Sequence, residues 1–223
     1  MARPRIAVCL SGCGFLDGSE IQEAVLTMLA LDRRGAELLL CAPDEPQTDV
    51  VDHLRGQPVP DESRNVLVES ARIARGDLVP LAQVRAADCD ALVFPGGYGA
   101  AKNLCDFAFR GARANNLVDV DRLIGECLAA GKPMGFVCIA PALMAIFGRD
   151  HGLHPRLTIG TDPGTAETLE TMGAVHEPHA VDEIAVDEEF RVVSTPAYML
   201  AHSVSEAAAG IDRLGEQVLA WCS

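Results

Sequence analysis

Three observations on the 223 residues predict an α/β fold with a mostly parallel sheet. Short apolar runs rich in Val, Leu and Ile recur along the chain, separated by helical stretches with start and stop signals. Glycine-rich segments follow several of those runs, where strand-to-helix turns of such a sheet stand. One late stretch, Glu183–Thr195, breaks the alternation: Asp187-Glu188-Glu189 separates two β-rich runs, the pattern of an antiparallel hairpin.

Each element has a local reason. Arg5–Leu10 reads as the first strand. Ser19–Arg34 reads as a helix, with Ser19 as N-cap and Gly35 as stop, and Leu38–Ala42 is a strand ended by Pro43. Ser63–Arg75 is helical, opened by Ser63 and closed by Gly76, and Ala91–Phe94 is a strand running into Pro95-Gly96-Gly97-Tyr98-Gly99. Asp119–Ala130 is helical and Pro133–Val137 is the strand before Cys138. Leu157–Ile159, Ile184–Val186 and Val192–Ser194 are later strands, and a long helix from Met199 to about Ala220 closes the fold. No repeat, low-complexity tract or linker divides the chain, so residues 1–223 are expected to form a single domain.

Composition narrows the function classes. The chain is 49% hydrophobic, enough for a sizeable core, with no apolar run long enough to cross a membrane. A formal net charge of −14 argues against nucleic acid and anionic membrane surfaces as partners. The start, Met1-Ala2-Arg3-Pro4-Arg5, has no signal-peptide or transit pattern, and the expected location is cytoplasmic. The eight cysteines of a cytoplasmic chain are not a disulfide framework, and no Cys-x-x-Cys pair is present. Cys9, Cys41 and Cys89 sit in or beside strand-like runs, whereas Cys13 and Cys105 lie in Gly- or Asn-rich loops. The six histidines are scattered, with His151 and His154 close together, and no metal site is expected.

The segment that carries chemistry is Lys132-Pro133-Met134-Gly135-Phe136-Val137-Cys138-Ile139-Ala140-Pro141. An apolar run stops at one cysteine, and Pro141 opens a helix. This is the strand–nucleophile–helix layout of the nucleophile elbow, with Cys in place of Ser. A helix N-terminus there favours thiolate over thiol. The same spacing also suits a buried small apolar cysteine. Ligands in open α/β sheets bind beyond the carboxyl ends of the strands, and five segments fall there: Ser11–Glu20, Pro95–Asn103, Cys138, Gly160-Thr161-Asp162 and Thr195–Met199. Gly12-x-Gly14 lacks the third glycine of a dinucleotide fingerprint, so no nicotinamide cofactor is expected. Glu20 and Glu23 stand in the first turns of the first helix, and both suit its dipole. Glu23 precedes the almost wholly apolar run Ala24–Leu31, so burial is expected to raise its pKa and fit it for proton transfer. Cys13, Glu20, Thr161 and Asp162 are further candidates for the pocket.

Taken together, these motifs resemble the ElbB-type isoprenoid-biosynthesis proteins with an amidotransferase-like domain. The markers are Ser11-Gly12-Cys13-Gly14, Asp17-Gly18-Ser19-Glu20-Ile21, Pro95–Asn103, Cys138-Ile139-Ala140-Pro141, Leu157–Asp162 and Thr195–Ala201, spanning nearly the full length. That family resembles the wider PfpI-type and class I glutamine amidotransferase superfamily. The resemblance implies a flavodoxin-like three-layer α/β/α sandwich and a homodimer. It implies Cys138 as nucleophile and Glu23 as the first-helix carboxylate. Gly97, with the backbone N–H of Ile139, matches the oxyanion-hole position, with Gly96 beside it. Amidotransferases also need a histidine well downstream of the cysteine, and none of His151, His154, His179 or His202 matches a triad motif. The expected activity is therefore a cofactor-independent glyoxalase of the glyoxalase III type, taking small 2-oxoaldehydes, with repair of early glycation adducts as a close variant. A redox-sensing or regulatory binding module, and an amidase or glutaminase, are the alternatives.

Overall fold

The computed structural model describes residues 3–222; Met1, Ala2 and Ser223 lie outside the described residues. The first half runs β1 (Arg5–Cys9), α1 (Ile21–Arg33), β2 (Glu37–Ala42), β3 (Val51–Asp52), β4 (Gln57–Pro58), α2 (Val66–Ala74), β5 (Val79–Pro80) and β6 (Ala91–Phe94). Then come α3 (Tyr98–Lys102), α4 (Phe107–Arg110), α5 (Val118–Ala129), β7 (Met134–Val137) and α6 (Pro141–His151). The remainder is β8 (Arg156–Leu157), α7 (Pro163–Thr171), β9 (Val175–His176), β10 (Ala185–Asp187), β11 (Val192–Thr195) and α8 (Val204–Trp221).

Seven strands form one sheet in the order β10-β11-β7-β6-β1-β2-β5. Every neighbouring pair is parallel except β10–β11, the expected hairpin. β1 shows why the sheet is covered on both faces. Ile6 and Val8 enter one core with Leu31 of α1 and Ile211 and Leu214 of α8. Ala7 and Cys9 enter the other core with Ile124 of α5 and Leu143 of α6. The period-2 alternation of a strand thus feeds two apolar layers, so both sets of side chains must be apolar. The result is the three-layer flavodoxin-like α/β/α sandwich.

Several boundaries differ from the sequence reading, each for a local reason. α1 starts at Ile21 because Glu20 is its cap, its carboxylate accepting the Glu23 N–H at 2.6 Å. The Ser19 hydroxyl instead accepts the Ser11 N–H at 2.8 Å. α2 is capped by Asn65, not Ser63. The closing helix begins at Val204 under the Ser203 cap, and Ala197–Met199 forms a separate 3₁₀ turn. Arg156–Leu157 pairs with Val175–His176 outside the main sheet. The buried Asp187 carboxylate joins that ladder to the hairpin, accepting the N–H groups of Arg156 at 2.7 Å, Glu189 at 3.0 Å and Phe190 at 3.1 Å.

Candidate active site

Cys138 follows β7 directly and has φ +62°, a left-handed conformation that side chains rarely adopt. Its N–H still donates to the Thr195 carbonyl of β11 at 2.9 Å, while Ala140 N–H turns back to Val137 O at 3.0 Å. The chain therefore leaves the sheet abruptly at Cys138 and enters α6, whose first residue is Pro141. This is the sharp turn the motif predicts, held by strain of the kind that costs of order 1–3 kcal/mol.

Gly96 and Gly97 make room beside it. A Cβ on Gly96 would lie 2.4 Å from Cys138 Cβ, 2.4 Å from Glu23 Oε2 and 2.9 Å from Val137 O. Gly97 has φ +97°, and a Cβ there would meet Glu20 N at 2.2 Å. Only glycine lets the loop after β6 press between the start of α1 and the elbow. Backbone bonds fix that contact: Glu20 N–H to Gly96 O at 2.9 Å, and Gly99 N–H to Gly18 O at 2.8 Å. The buried Asn103 amide adds a staple, donating to the carbonyls of Ser11 at 2.9 Å and Asp17 at 2.8 Å.

Glu23 is wholly buried. Its Oε1 accepts the Tyr198 N–H at 3.0 Å, across 175 residues of sequence. Its Oε2 has no hydrogen bond of regular geometry, although the Cys138 thiol faces the carboxyl. Burial pushes the Glu23 pKa up from 4.5 to about 8, against the pull of the Tyr198 N–H and with a further push from Glu20. Burial also pushes the Cys138 thiol well above its ordinary value, and Glu23 pushes it the same way. The N–H groups of Gly97 and Ile139 oppose that shift and favour thiolate. The helix N-terminus thus acts in the expected direction, but desolvation outweighs it and the resting thiol is protonated.

A cavity of about 420 Å³ opens over Cys138. Phe15 and Glu20 come from the loop after β1; Gly97, Tyr98 and Ala101 from the segment after β6; Cys138 and Ile139 from the elbow; Tyr198 and Met199 from the turn after β11. Four of the five predicted segments therefore supply wall directly. The fifth does so at one remove: Asp162 caps α7 by accepting the Thr165 N–H at 2.8 Å, and Thr165 lines the cavity, whereas Thr161 and Asp162 do not. Cys13 is also absent from the wall; its charged neighbours are Glu69 and Arg72 of α2 with Asp17. Cys105, from the other suspect loop, is core. Sequence reasoning missed Phe107 and Ala108 on the short α4, which carries no motif, and it gave the Tyr198 N–H no role.

No histidine lines this cavity. His151 borders a separate cleft of about 440 Å³ between α5 and α6, stacked on Phe147 with its ring 3.7 Å from Asp121. His154 bonds to Gly173 O at 2.8 Å, and His179 faces Glu177 and Glu183. Among the described residues, no group of three or more His, Cys, Asp or Glu side chains is arranged to hold a metal ion. No helix among them is long and apolar enough to cross a membrane.

No protein-family model matches the chain. A Rattus norvegicus protein named ES1 protein homolog, mitochondrial, is 46% identical over 222 residues, covering 97% of this chain and 84% of that protein. A Homo sapiens protein named glutamine amidotransferase-like class 1 domain-containing protein 3, mitochondrial, is 46% identical over 220 residues, covering 96% of this chain and 82% of that protein. The crystal structure of an isoprenoid biosynthesis protein with amidotransferase-like domain from Ehrlichia chaffeensis superposes with a TM-score of 0.92 at 38% identity, covering 99% of this chain and all of that one. The mitochondrial names of the relatives overturn the cytoplasmic expectation. The expectation rested on the first residues of the sequence, and the lack of an address pattern there does not fix a compartment. With nearly half its residues shared along most of both mammalian relatives, and its fold matched from end to end by the bacterial structure, the chain belongs to the family of ES1 and glutamine amidotransferase-like class 1 domain proteins.

Proposed function

We propose that this protein is an ElbB-type, cofactor-independent glyoxalase that converts 2-oxoaldehydes to 2-hydroxy acids. The observation that carries the reading is a buried carboxyl with its pKa near 8 facing an elbow thiol that lines the cavity. The minor carboxylate form of Glu23 takes the thiol proton as Cys138 sulfur adds to the aldehyde carbon, C1. The N–H groups of Gly97 and Ile139 hold the oxyanion that develops, and protonation by Glu23 completes the hemithioacetal. The carboxylate then removes the hydrogen on C1 as a proton, giving an enediolate; the C1 hydroxyl proton passes to the C2 oxygen, and Glu23 returns its proton to C2. The product is a thioester of the 2-hydroxy acid, which water cleaves to release the acid and the thiol. The hydrogen lost from C1 is replaced at C2, so no external oxidant or reductant enters the balance. A carboxyl titrating near neutrality suits a group that must accept and donate in turn.

The amidase alternative calls for an imidazole base beside the nucleophile, and the wall supplies none. The sensor alternative calls for a thiol that ionises readily, and burial works against that at Cys138. NMR of methylglyoxal with the purified protein tests the proposal. Lactate formed over many turnovers, and lost in Cys138→Ala, is expected; less than one lactate per chain overturns the reading.

A further inference from the structure

The cavity is far larger than glyoxal needs. Its volume of about 420 Å³ falls within the roughly 300–1,000 Å³ of sites that enclose ligands of many heavy atoms, whereas glyoxal has only four. The wall is chemically one-sided. Four rings, Phe15, Tyr98, Phe107 and Tyr198, join Ile139 and Met199 in the wall. Beyond the Cys138 thiol and the two phenols, the one ionisable wall group is the acidic Glu20, and no Lys, Arg or His lines the space. Basic side chains of neighbouring segments are engaged: Lys102, behind Tyr98, is paired with Asp49 at 3.0 Å and bonds to Leu16 O at 3.0 Å; Arg110 of α4 is paired with Asp106 at 3.3 Å; and His53, edge-on to Phe15, lies 3.6 Å from Asp17. An anionic substituent would meet Glu20 and lose its hydration with no cation in return.

From this we infer that the site selects uncharged 2-oxoaldehydes bearing an aromatic or bulky apolar substituent, with Phe15, Tyr98 and Phe107 as specificity-determining residues. The inference rests on the glyoxalase reading for the reacting end of the substrate. The substituent end is argued from the cavity wall alone. Rings of this kind hold aryl groups by burial and by edge or offset stacking.

Two measurements separate the inference from the reading beneath it. The first compares kcat/KM for phenylglyoxal, methylglyoxal and the carboxylate-bearing 4,5-dioxopentanoate, with each hydroxy acid followed directly by NMR. Phenylglyoxal is expected to exceed methylglyoxal at least tenfold, and the anionic aldehyde to fall at least tenfold below it. Phe107→Ala should cost phenylglyoxal fivefold or more relative to methylglyoxal, through KM. Ala108→Lys, on the exposed side of α4, should raise the ratio of anionic to aryl substrate at least tenfold. Equal rates for all three aldehydes overturn the inference and leave the glyoxalase reading standing.

The second measurement needs no turnover. Cys138 is alkylated with N-benzyl iodoacetamide, iodoacetamide or iodoacetate, and each rate is divided by that of the urea-unfolded protein. The benzyl reagent is expected to lead iodoacetamide at least tenfold, with iodoacetate slowest, and Phe107→Ala to erase most of the benzyl advantage. If no aldehyde turns over but this order holds, the glyoxalase reading fails and the selectivity stands. If iodoacetate matches or exceeds the benzyl reagent, the selectivity fails.

Discussion

Glu23 is the residue on which chemistry and stability meet. Its native carboxyl holds a proton to about pH 8, whereas the ordinary value is 4.5. Between those values the native state binds more protons than the unfolded state, so stability falls as pH rises through them. Glu23→Gln has no such dependence. From pH 5.5 to 8, urea unfolding should shift by about 3 kcal/mol in favour of the variant relative to wild type, at ~1.4 kcal/mol per pH unit. The same variant should lose about 10²–10⁴-fold in kcat/KM for the 2-oxoaldehyde. Wild-type activity should rise toward pH 8 as the carboxylate form grows, then level off. Tyr198→Phe offers a control: the group that bonds to Glu23 is the backbone N–H, and the hydroxyl donates to Gln22. Its pH profile should match wild type. Gly96→Ala has no space for its methyl group, because both reacting side chains lie in its path. It should abolish turnover and lower stability by about 1–3 kcal/mol by overpacking.

At the scale of elements, the Asp187 carboxylate ties the β10–β11 turn to β8 through three backbone donors. Asp187→Ala leaves those donors unpaired, and the urea midpoint should fall by an amount equivalent to about 2–3 kcal/mol. The turn precedes Val192, which pairs with Met134 at the start of β7, whereas Cys138 follows the far end of that strand, so the kcat of the folded fraction should change less than twofold. Element identity was legible wherever the pattern was long. Ile6-Ala7-Val8-Cys9-Leu10 could only be a strand covered on both faces, and the apolar run after Glu23 announced a buried carboxyl. Two-residue strands such as Val79–Pro80 carry no periodicity and owe their place to pairing with β2. The elbow was legible, because an apolar run, one cysteine and a helix-opening proline form a local pattern. The protonation state of its thiol was not, since desolvation is set by α1 and the loop after β6, which are remote in sequence. Cys13, Thr161 and Asp162 failed as wall residues for a related reason. A glycine-rich loop signals its position at the sheet edge but not which way its side chains turn.

Over the whole molecule, a formal charge of −14 sets up self-repulsion that the two apolar cores must overcome. The ion pairs are mostly exposed and individually weak, Arg5–Glu37 among them. Raising salt from about 0.05 M to 0.5 M screens the repulsion more than it costs those pairs, as the Debye length falls from above ~10 Å to well below it. The melting temperature should rise by a few degrees. No rise, or a fall, would mean that the ion pairs outweigh the net charge.

The bond from the Tyr198 N–H to Glu23 also sets a timetable for synthesis. The first two layers of the cavity, from residues 15 to 101, leave the ribosome early. The elbow then emerges with its Thr195 acceptor still unmade, and Glu23 has no partner for Oε1 until residue 198 follows. At ~5–20 residues per second this interval lasts roughly 3–12 s between Cys138 and Tyr198. During it Oε1 of Glu23 lacks its Tyr198 donor and the Cys138 N–H lacks its Thr195 acceptor, so the pair is not yet fixed in place. The reacting pair is accordingly completed only when the chain is nearly finished, and a chain cut short before residue 195 lacks both of those bonds.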